Sequence, residues 1–276
     1  MQNQVYEKIT AQFIEALNRG NIPWKKPFTS NANFITKNEY QGINSLLTAC
    51  RDFSCPYWVT FKQASDLGGK IKKGEKGTVI AFWQCKERVT ENDLGEEETK
   101  KGFLLRYSTV FNLEQTEGIQ WEVTVTDGGK TTTTAEAIMA NYKNAPEIIF
   151  EDDRAYYSPL RDIVNLPKKQ KFVSLEEYFC TAFHELVHST GHVSRLDRSE
   201  LCNINFFGDH SYSKEELVAE IGAAFLCHEA GILNATMSNS EAYIAGWVRA
   251  LGNDPKMIME AAGKARKAVG FIRESL

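Results

Sequence analysis

The stretch HELVHSTGH (184–192) holds three of the five histidines in this 276-residue chain. Two of them, His184 and His188, are four residues apart, so in a helix both side chains leave the same face and can bind one ion. Glu185 is rotated about 100° around the helix from His184, where it can act on a water molecule without being a ligand itself. This is the HExxH pattern of metal-dependent hydrolases, and it predicts a metal site on a helix.

The residues around this motif predict the helix that it requires. Ser174 and Glu177 match the Ser-x-x-Glu pattern of a helix start, and Gly191 is suited to a helix end. The intervening sequence LEEYFCTAFHELVHST is rich in apolar residues, which predicts burial in a core. Two histidines without partners would be costly there, so a metal site explains the motif better than chance does.

A catalytic site of this type needs a third protein ligand. His192 follows the helix-ending glycine and is expected to point away, and an HExxHxxGxxH pattern fails because Ser194 occupies the position of its third histidine. On the helix SKEELVAEIGAAFL (213–226), Glu216 and Glu220 are four residues apart and share a face, as in gluzincins. We predict that Glu216 is the ligand. Glu220 is predicted to hold a ligand histidine through its other ring nitrogen.

The alternative for Glu216 is a structural role. Ser213 and Glu216 also match the Ser-x-x-Glu capping pattern, which would start the helix at about residue 214 and make Glu220 the ligand. In either case the expected chemistry is peptide hydrolysis. A bound metal lowers the pKa of its water to about 7, and Glu185 accepts the proton as the general base. Zinc is the expected metal, and another divalent transition metal such as Mn²⁺ is the alternative.

The overall composition is that of a globular protein, with 42% hydrophobic and 25% charged residues. The sequence contains no apolar run long enough to span a membrane, and its first twenty residues lack the apolar segment of a signal peptide. Six cysteines without a Cys-x-x-Cys pair predict reduced, mostly buried thiols. These features predict a cytoplasmic protein with no membrane partner.

Positive charge is concentrated at the front of the chain. Residues 1–86 carry 12 Lys and Arg against 6 Asp and Glu, whereas residues 87–130 carry 5 against 10. A basic front on an acidic protein predicts a polyanionic partner for that part alone. Two stretches combine lysines with aromatic residues, GNIPWKKPF (20–28) and YWVTFKQASDLGGKIKKGEKG (57–77).

These two stretches predict binding of single-stranded DNA or RNA without sequence preference. Lysines neutralise phosphates, and flat side chains stack on unpaired bases of any kind. The alternative is that the aromatic residues belong to the core and the lysines to a solvated hairpin end. The candidate nucleic-acid-binding residues are Trp24, Lys25, Lys26, Tyr57, Trp58, Lys62, Lys70, Lys72, Lys73 and Lys76.

The segment DGGKTTTT (127–134) predicts a domain boundary, because its glycines and threonines interrupt any regular pattern. The expected fold class is α+β with two domains: an α+β domain at 1–128, a linker at 129–134 and a mainly helical domain at 135–276. In the first domain we predict helices at about 3–19 and 60–69, strands at 78–85, 103–112 and 119–125, and an acidic loop at about 87–102. In the second we predict helix starts at about 134, 175, 214 and 255, and short strands at 147–150 and 154–158.

The chain as a whole resembles one family, the plasmid antirestriction protein ArdC and its relatives. Its front half is similar to the ArdC N-terminal domain in IPWKKPF (22–28), YQGINSLL (40–47), YWVTFKQASDLGGKIKKGEKGTVIAFW (57–83) and VFNLEQTEGI (110–119). Its back half is similar to the zincin-like metallopeptidase domain of that family in AYYSP (155–159), FHELVHSTGHVSRLDR (183–198) and YSKEELVAEIGAAFL (212–226).

The resemblance implies a domain that binds single-stranded DNA, fused to a zinc-dependent peptidase-like domain. It also implies a setting in which incoming plasmid DNA is protected from restriction, and a protein substrate for the peptidase. The alternative function is a pure single-strand-binding protein whose metal domain is structural or inactive.

Overall fold

The computed structural model describes residues 2–25, 31–91, 97–122, 132–198, 210–232 and 241–273. These ranges contain both helices and strands, and the predicted α+β class is confirmed. The helices are α1 (Gln2–Asn18), α2 (Ile43–Ala49), α3 (Phe61–Asp66), α4 (Thr132–Asn141), α5 (Leu175–Ser189), α6 (His210–Ala230), α7 (Glu241–Asn253) and α8 (Met257–Arg273). The strands are β1 (Ala32–Asn33), β2 (Tyr57–Thr60), β3 (Lys70–Ile71), β4 (Thr78–Glu91), β5 (Glu97–Asn112), β6 (Thr116–Glu117), β7 (Glu147–Ile149), β8 (Tyr156–Ser158) and β9 (Ile163–Asn165).

The chain forms two compact units. The first consists of Met1–Phe13 and Ser30–Val123, and the second of Ile14–Thr29 and Thr124–Leu276. The main division thus falls a few residues before the predicted linker. The segment Ile14–Thr29, which we predicted to lie in the first domain, belongs to the second unit.

The first unit is built on a four-stranded sheet with the order β1-β2-β5-β4. β4 and β5 form a long antiparallel hairpin whose pairing runs from Thr78 opposite Val110 to Glu91 opposite Glu97. The prediction of a loop at 87–102 is therefore wrong for the described residues. Backbone hydrogen bonds extend the ladder through this polar segment without needing an apolar face. The predicted strand at 119–125 is also absent from its described part, 119–122.

The first helix follows its sequence pattern closely. In α1 the buried residues Val5, Ile9 and Phe13 recur every four positions, as expected for one face of a helix. Gln12 joins this helix to its neighbours in the first unit. Its side-chain amide donates to the carbonyl of Leu47 (3.0 Å) and accepts from the backbone N–H of Val79 (2.9 Å).

The second unit combines a small sheet with α4 to α8. In this sheet β9 lies between β7, which is parallel to it, and β8, which is antiparallel. The sequence did not reveal β9, because its three residues are all buried and too few to show a strand period. Helix α5 begins at Leu175 as predicted, and the Ser174 hydroxyl accepts from the N–H of Glu177 (3.2 Å).

Helix α6 starts at His210, four residues before the predicted position. Ser213 is therefore inside the helix, and Glu216 lies well within it. The alternative prediction, that Glu216 caps the start of this helix, is therefore wrong. Helix α6 is buried on several sides, since Leu217, Val218 and Ala219 are all inaccessible. None of the helices in the described part of the chain is both long and apolar enough to cross a membrane.

Candidate metal centre and nucleic-acid interface

Helices α5 and α6 bring three potential metal ligands together. The Nε2 atoms of His184 and His188 on α5 lie 3.1 Å apart. Glu216 on α6 faces both of them, with one carboxylate oxygen 3.5 Å from His184 Nε2 and the other 3.3 Å from His188 Nε2. Within the described ranges, these three side chains form a group whose ligand atoms all lie within 4.8 Å of one another.

The donor set fits a divalent metal ion. Ligands at the usual zinc distances in a tetrahedral site are separated by about 3.3 Å, and adjacent octahedral ligands at about 2.1 Å by about 3.0 Å. The separations of 3.1 to 3.5 Å agree with both geometries, so they support a metal without selecting one. Two imidazoles and one carboxylate suit zinc and manganese alike.

Charge in the site favours a cation. Burial alone would raise the pKa of Glu216, but the charge of His188 and hydrogen bonds from both histidines lower that pKa well below its usual range. Burial alone would lower the pKa of His188. The carboxylates of Glu216 and Glu215 outweigh this effect and raise that pKa well above its usual value. The three donors therefore attract positive charge, whether it is a proton or a metal ion.

Glu185 lies beside the three candidate ligands. It is on α5 next to His184, and its side chain is 8% exposed. Burial alone would lower the pKa of His184. The hydrogen bond to Glu216 and the charge of Glu185 outweigh this effect and raise that pKa above its usual value. The Glu185 carboxylate is thus close enough to act electrostatically on the site while standing outside the group of three donors.

The acid that contacts the outer ring nitrogen of His188 is Glu215, and the prediction of Glu220 for this role is wrong. The Nδ1 atom of His188 lies 3.2 Å from an oxygen of Glu215. Because a carboxylate only accepts, Nδ1 carries the proton and Nε2 keeps its lone pair for the metal. Glu220 instead accepts a hydrogen bond from the hydroxyl of Tyr243 (2.9 Å). It is not among the three grouped ligands.

A glycine allows the two helices to approach closely beside the site. A Cβ atom at Gly222 of α6 would lie 2.8 Å from both methyl groups of Val187, the residue before His188. Such a distance is far inside van der Waals contact. The absence of a side chain at Gly222 therefore sets how near Glu216 can come to the histidines.

Gly222→Ala is expected to separate α5 from α6 and to weaken metal binding, with a loss of stability of about 1–3 kcal/mol from overpacking. Thermal unfolding and metal titration would measure both effects. Gly263→Ala on α8 is the matched control, because nothing lies within 4 Å of the added methyl group there. The control should stabilise its helix slightly. Equal changes in thermal stability and in metal affinity in the two variants would contradict the close approach of the helices at Gly222.

Two of the predicted nucleic-acid-binding residues are buried. Trp24 is 0% exposed and packs edge-on against Trp247, with ring centres 5.9 Å apart. Trp58 is 1% exposed, and its indole N–H donates to the side chain of Asn31 (3.0 Å). Neither ring can stack on a base in this structure, so these two assignments are corrected to core positions.

The other candidates differ in their surroundings. Lys25 lies over the ring of Tyr243, with its ammonium nitrogen 4.5 Å from the ring centre. Tyr57 is half-buried and packs edge-on against Phe34. Lys26 lies outside the described residues. The remaining candidates are exposed lysines of one segment, Lys62, Lys70, Lys72, Lys73 and Lys76.

Exposed aromatic rings of the first unit occur at positions that were not among the candidate nucleic-acid-binding residues. Phe61, next to Lys62, is 67% exposed. Trp83 and Phe103 lie on the β4–β5 hairpin and are also largely exposed. Alternation along the hairpin would not have suggested these two, because it places them on the same face as Leu105, which is buried.

Comparison with known proteins agrees with both halves of this architecture. Residues 3–111 match the family described as the N-terminal domain of the anti-restriction factor ArdC, and residues 133–264 match the zincin-like metallopeptidase family. Crystal structures of the antirestriction ArdC protein from plasmid R388 are similar over 98% of this chain and 97% of theirs. The metal-free form is 33% identical with a TM-score of 0.73, and the Mn(II)-bound form is 32% identical with a TM-score of 0.72.

The chain therefore belongs to the class of two-domain proteins that join an ArdC-type N-terminal domain to a zincin-like domain, as the sequence predicted. It is a member of the ArdC antirestriction protein family. Two proteins of Escherichia coli named DNA primase TraC are 36% and 33% identical over 97% of this chain. The chain spans only 27% and 20% of their respective lengths.

Proposed function

We propose that this protein binds single-stranded DNA without sequence preference, protects incoming plasmid DNA from restriction, and carries a metal-dependent peptidase site. The observation that carries the enzymatic part is the convergence of His184, His188 and Glu216 beside Glu185. The crystal structure of the related ArdC protein from plasmid R388 is Mn(II)-bound, which supports a divalent metal in this fold. Zinc remains the metal that we propose.

Each residue of the site has a distinct task in the proposed hydrolysis. A bound divalent metal supplies Lewis acidity for activating water and polarising a peptide carbonyl. His184, His188 and Glu216 hold the ion. Glu185 accepts the proton of the attacking water and transfers it to the leaving amine as general base and then general acid.

The proposed DNA surface is the lysine segment from Lys62 to Lys76. All five lysines of this segment are exposed, and the exposed ring of Phe61 adjoins them. Exposed ammonium groups neutralise phosphates, and an exposed ring offers a face for stacking on an unpaired base. This combination supports contact with a single strand better than the buried tryptophans do.

Replacing Lys72, Lys73 and Lys76 together by alanine is expected to weaken binding of a single-stranded oligonucleotide. Each lost phosphate contact should reduce the slope of log affinity against log salt by about 0.7, so the triple change should reduce it by about 2. Fluorescence anisotropy of a labelled oligonucleotide at several salt concentrations would measure this. The full chain is required, because Trp24 packs in the second unit and a fragment ending at residue 128 would lose Trp247.

The matched control replaces three exposed lysines of the second unit, Lys168, Lys256 and Lys267, by alanine. This change removes the same net charge and should leave the slope within about 0.5 of the original. A slope that drops equally in both triple variants would contradict the lysine segment as the DNA surface. Equal affinity of the unaltered protein for duplex and single strand would contradict the proposed preference.

A further inference from the structure

We propose that Arg198 is a positioning residue of the metal centre, which it acts on by fixing Glu215 against the ligand His188. This inference rests on the metal site of the proposed function. The sequence and the family resemblance assigned no role to Arg198. It lies in the segment that follows α5, ten residues beyond His188.

The contacts of Arg198 form a continuous path to the metal ligand. Its Nε donates to one oxygen of Glu215 (2.9 Å), and its Nη2 donates to the other (2.6 Å). The second of these oxygens also accepts from Nδ1 of His188 (3.2 Å). The guanidinium thus binds both carboxylate oxygens in a planar fork and fixes the plane of the group that orients the imidazole.

Arg198 is itself held in place by the end of α5. Its Nη1 donates to the hydroxyl of Thr190 (2.6 Å), and its Nη2 donates to the carbonyl of Val187 (2.8 Å). The backbone N–H of Arg198 donates to the carbonyl of Gly191 (2.9 Å), which folds the segment back onto the helix. The side chain is almost completely buried, so these contacts are shielded from water.

The glycine of the HSTGH stretch provides the space for this guanidinium. A Cβ atom at Gly191 would lie 2.9 Å from the guanidinium carbon of Arg198 and 2.9 Å from its Nη2. Gly191 thus does more than end the helix, which was its predicted role. It leaves room for the arginine that holds the partner of His188.

The arrangement separates the tasks of two neighbouring acids. Glu215 and Glu216 are adjacent on α6, and both lie within 3.3 Å of a ring nitrogen of His188. Arg198 binds both oxygens of Glu215 and has no contact with Glu216 among the described hydrogen bonds. The fork therefore keeps Glu215 on the outer nitrogen of His188 and leaves Glu216 to face the metal. A buried ion pair of this kind is costly to desolvate, so stability alone does not explain it.

Arg195 provides a natural control three residues earlier. It is equally buried and also holds the end of α5, since its Nε donates to the carbonyl of Ser189 (2.7 Å). Its guanidinium pairs with Asp162 and contacts Tyr157, and it makes no described contact with Glu215. Loss of Arg195 should therefore disturb the segment and the fold as much as loss of Arg198 does, without releasing Glu215.

The test compares Arg198→Met, Glu215→Gln, their combination and Arg195→Met in the full chain. Affinity for Zn²⁺ is measured by competition with a chromogenic chelator, and the visible absorption of bound Co²⁺ reports the coordination geometry. Arg198→Met and Glu215→Gln should each lower Zn²⁺ affinity about tenfold or more and alter the Co²⁺ bands. The combined variant should lose no more Zn²⁺ affinity than Glu215→Gln loses alone, because Arg198 acts through Glu215. Arg195→Met should stay within about twofold of the unaltered protein and keep its bands.

Several results would overturn the inference. Losses of Arg198→Met and Glu215→Gln that add in the combined variant would show that Arg198 acts by another route. An equal loss in Arg195→Met would reduce Arg198 to a structural residue. If Arg198→Met does not fold, Gly191→Ala displaces the guanidinium with every polar group retained, and unchanged Zn²⁺ affinity and Co²⁺ bands in that variant would reject the proposal. Absence of Zn²⁺ binding by the unaltered protein would instead reject the proposed metal function.

Discussion

Glu216→Gln is expected to lower the affinity for a divalent metal by more than about a hundredfold, whereas Glu220→Gln should leave it within about twofold. Loss of a residue that hydrogen-bonds a metal ligand typically lowers metal affinity about 10- to 100-fold, and loss of a ligand itself should lower it further. Glu216 lies 3.3 to 3.5 Å from the Nε2 atoms of both histidines. Glu220 pairs with Tyr243, and a glutamine there can still accept that hydrogen bond through its amide oxygen.

The metal affinities of these variants would be compared by metal content after gel filtration and by competition with a chelator. Glu215→Gln should fall between the two, since it removes the negative charge that faces Nδ1 of His188 and keeps all three candidate ligands. All three changes are isosteric, so differences among them report position rather than size. A site that empties in Glu220→Gln and stays filled in Glu216→Gln would contradict the assignment.

The three side chains that converge at the candidate site were predictable, because they follow from spacing within a helix. His184 and His188 share a face at i and i+4, and Glu216 was selected as an acid on a second helix with the same periodicity. Which acid supports His188 was not predictable. The i+4 rule pointed to Glu220, but the crossing of α5 and α6 turns Glu215, the neighbour of Glu216, toward Nδ1. Spacing along one helix contains no information on the angle at which another helix crosses it.

The start of α6 shows that the Ser-x-x-Glu pattern does not always mark the beginning of a helix. Ser213 and Glu216 match a capping box, yet the helix begins at His210. The pattern records only residue types, and Ser174 with Glu177 shows the same spacing where a helix does begin. Residue types alone do not decide between the two cases, because most of the stability of a helix in a protein comes from tertiary packing.

The nucleic-acid candidates failed where burial had to be inferred from residue type. Trp58 on β2 and Trp24 near α1 each stand beside lysines or other polar residues, but both rings fill the interior. Aromatic residues are large apolar groups first, and the sequence does not state which face of a short strand is covered. The lysines were easier to place, since a charged side chain is rarely buried without a partner.

Glu185→Gln is expected to retain the metal and to lose peptide hydrolysis by about 10²- to 10⁴-fold, the usual contribution of a general base. The substitution keeps the size of the side chain and leaves His184, His188 and Glu216 unchanged. Hydrolysis of a fluorogenic peptide library and metal content would be measured on the same preparation. Glu176→Gln, in the first turn of the same helix, is the matched control and should keep both properties.

The same variant separates the proposed enzyme from a protein that only binds DNA. If hydrolysis contributes to protection from restriction, Glu185→Gln should bind single strands normally and protect plasmid DNA less during transfer. Full protection by a variant that retains its metal and has lost hydrolysis would assign protection to the first unit alone. Retained hydrolysis in Glu185→Gln would remove Glu185 from the role of base, because an amide at that position cannot accept the proton of an attacking water.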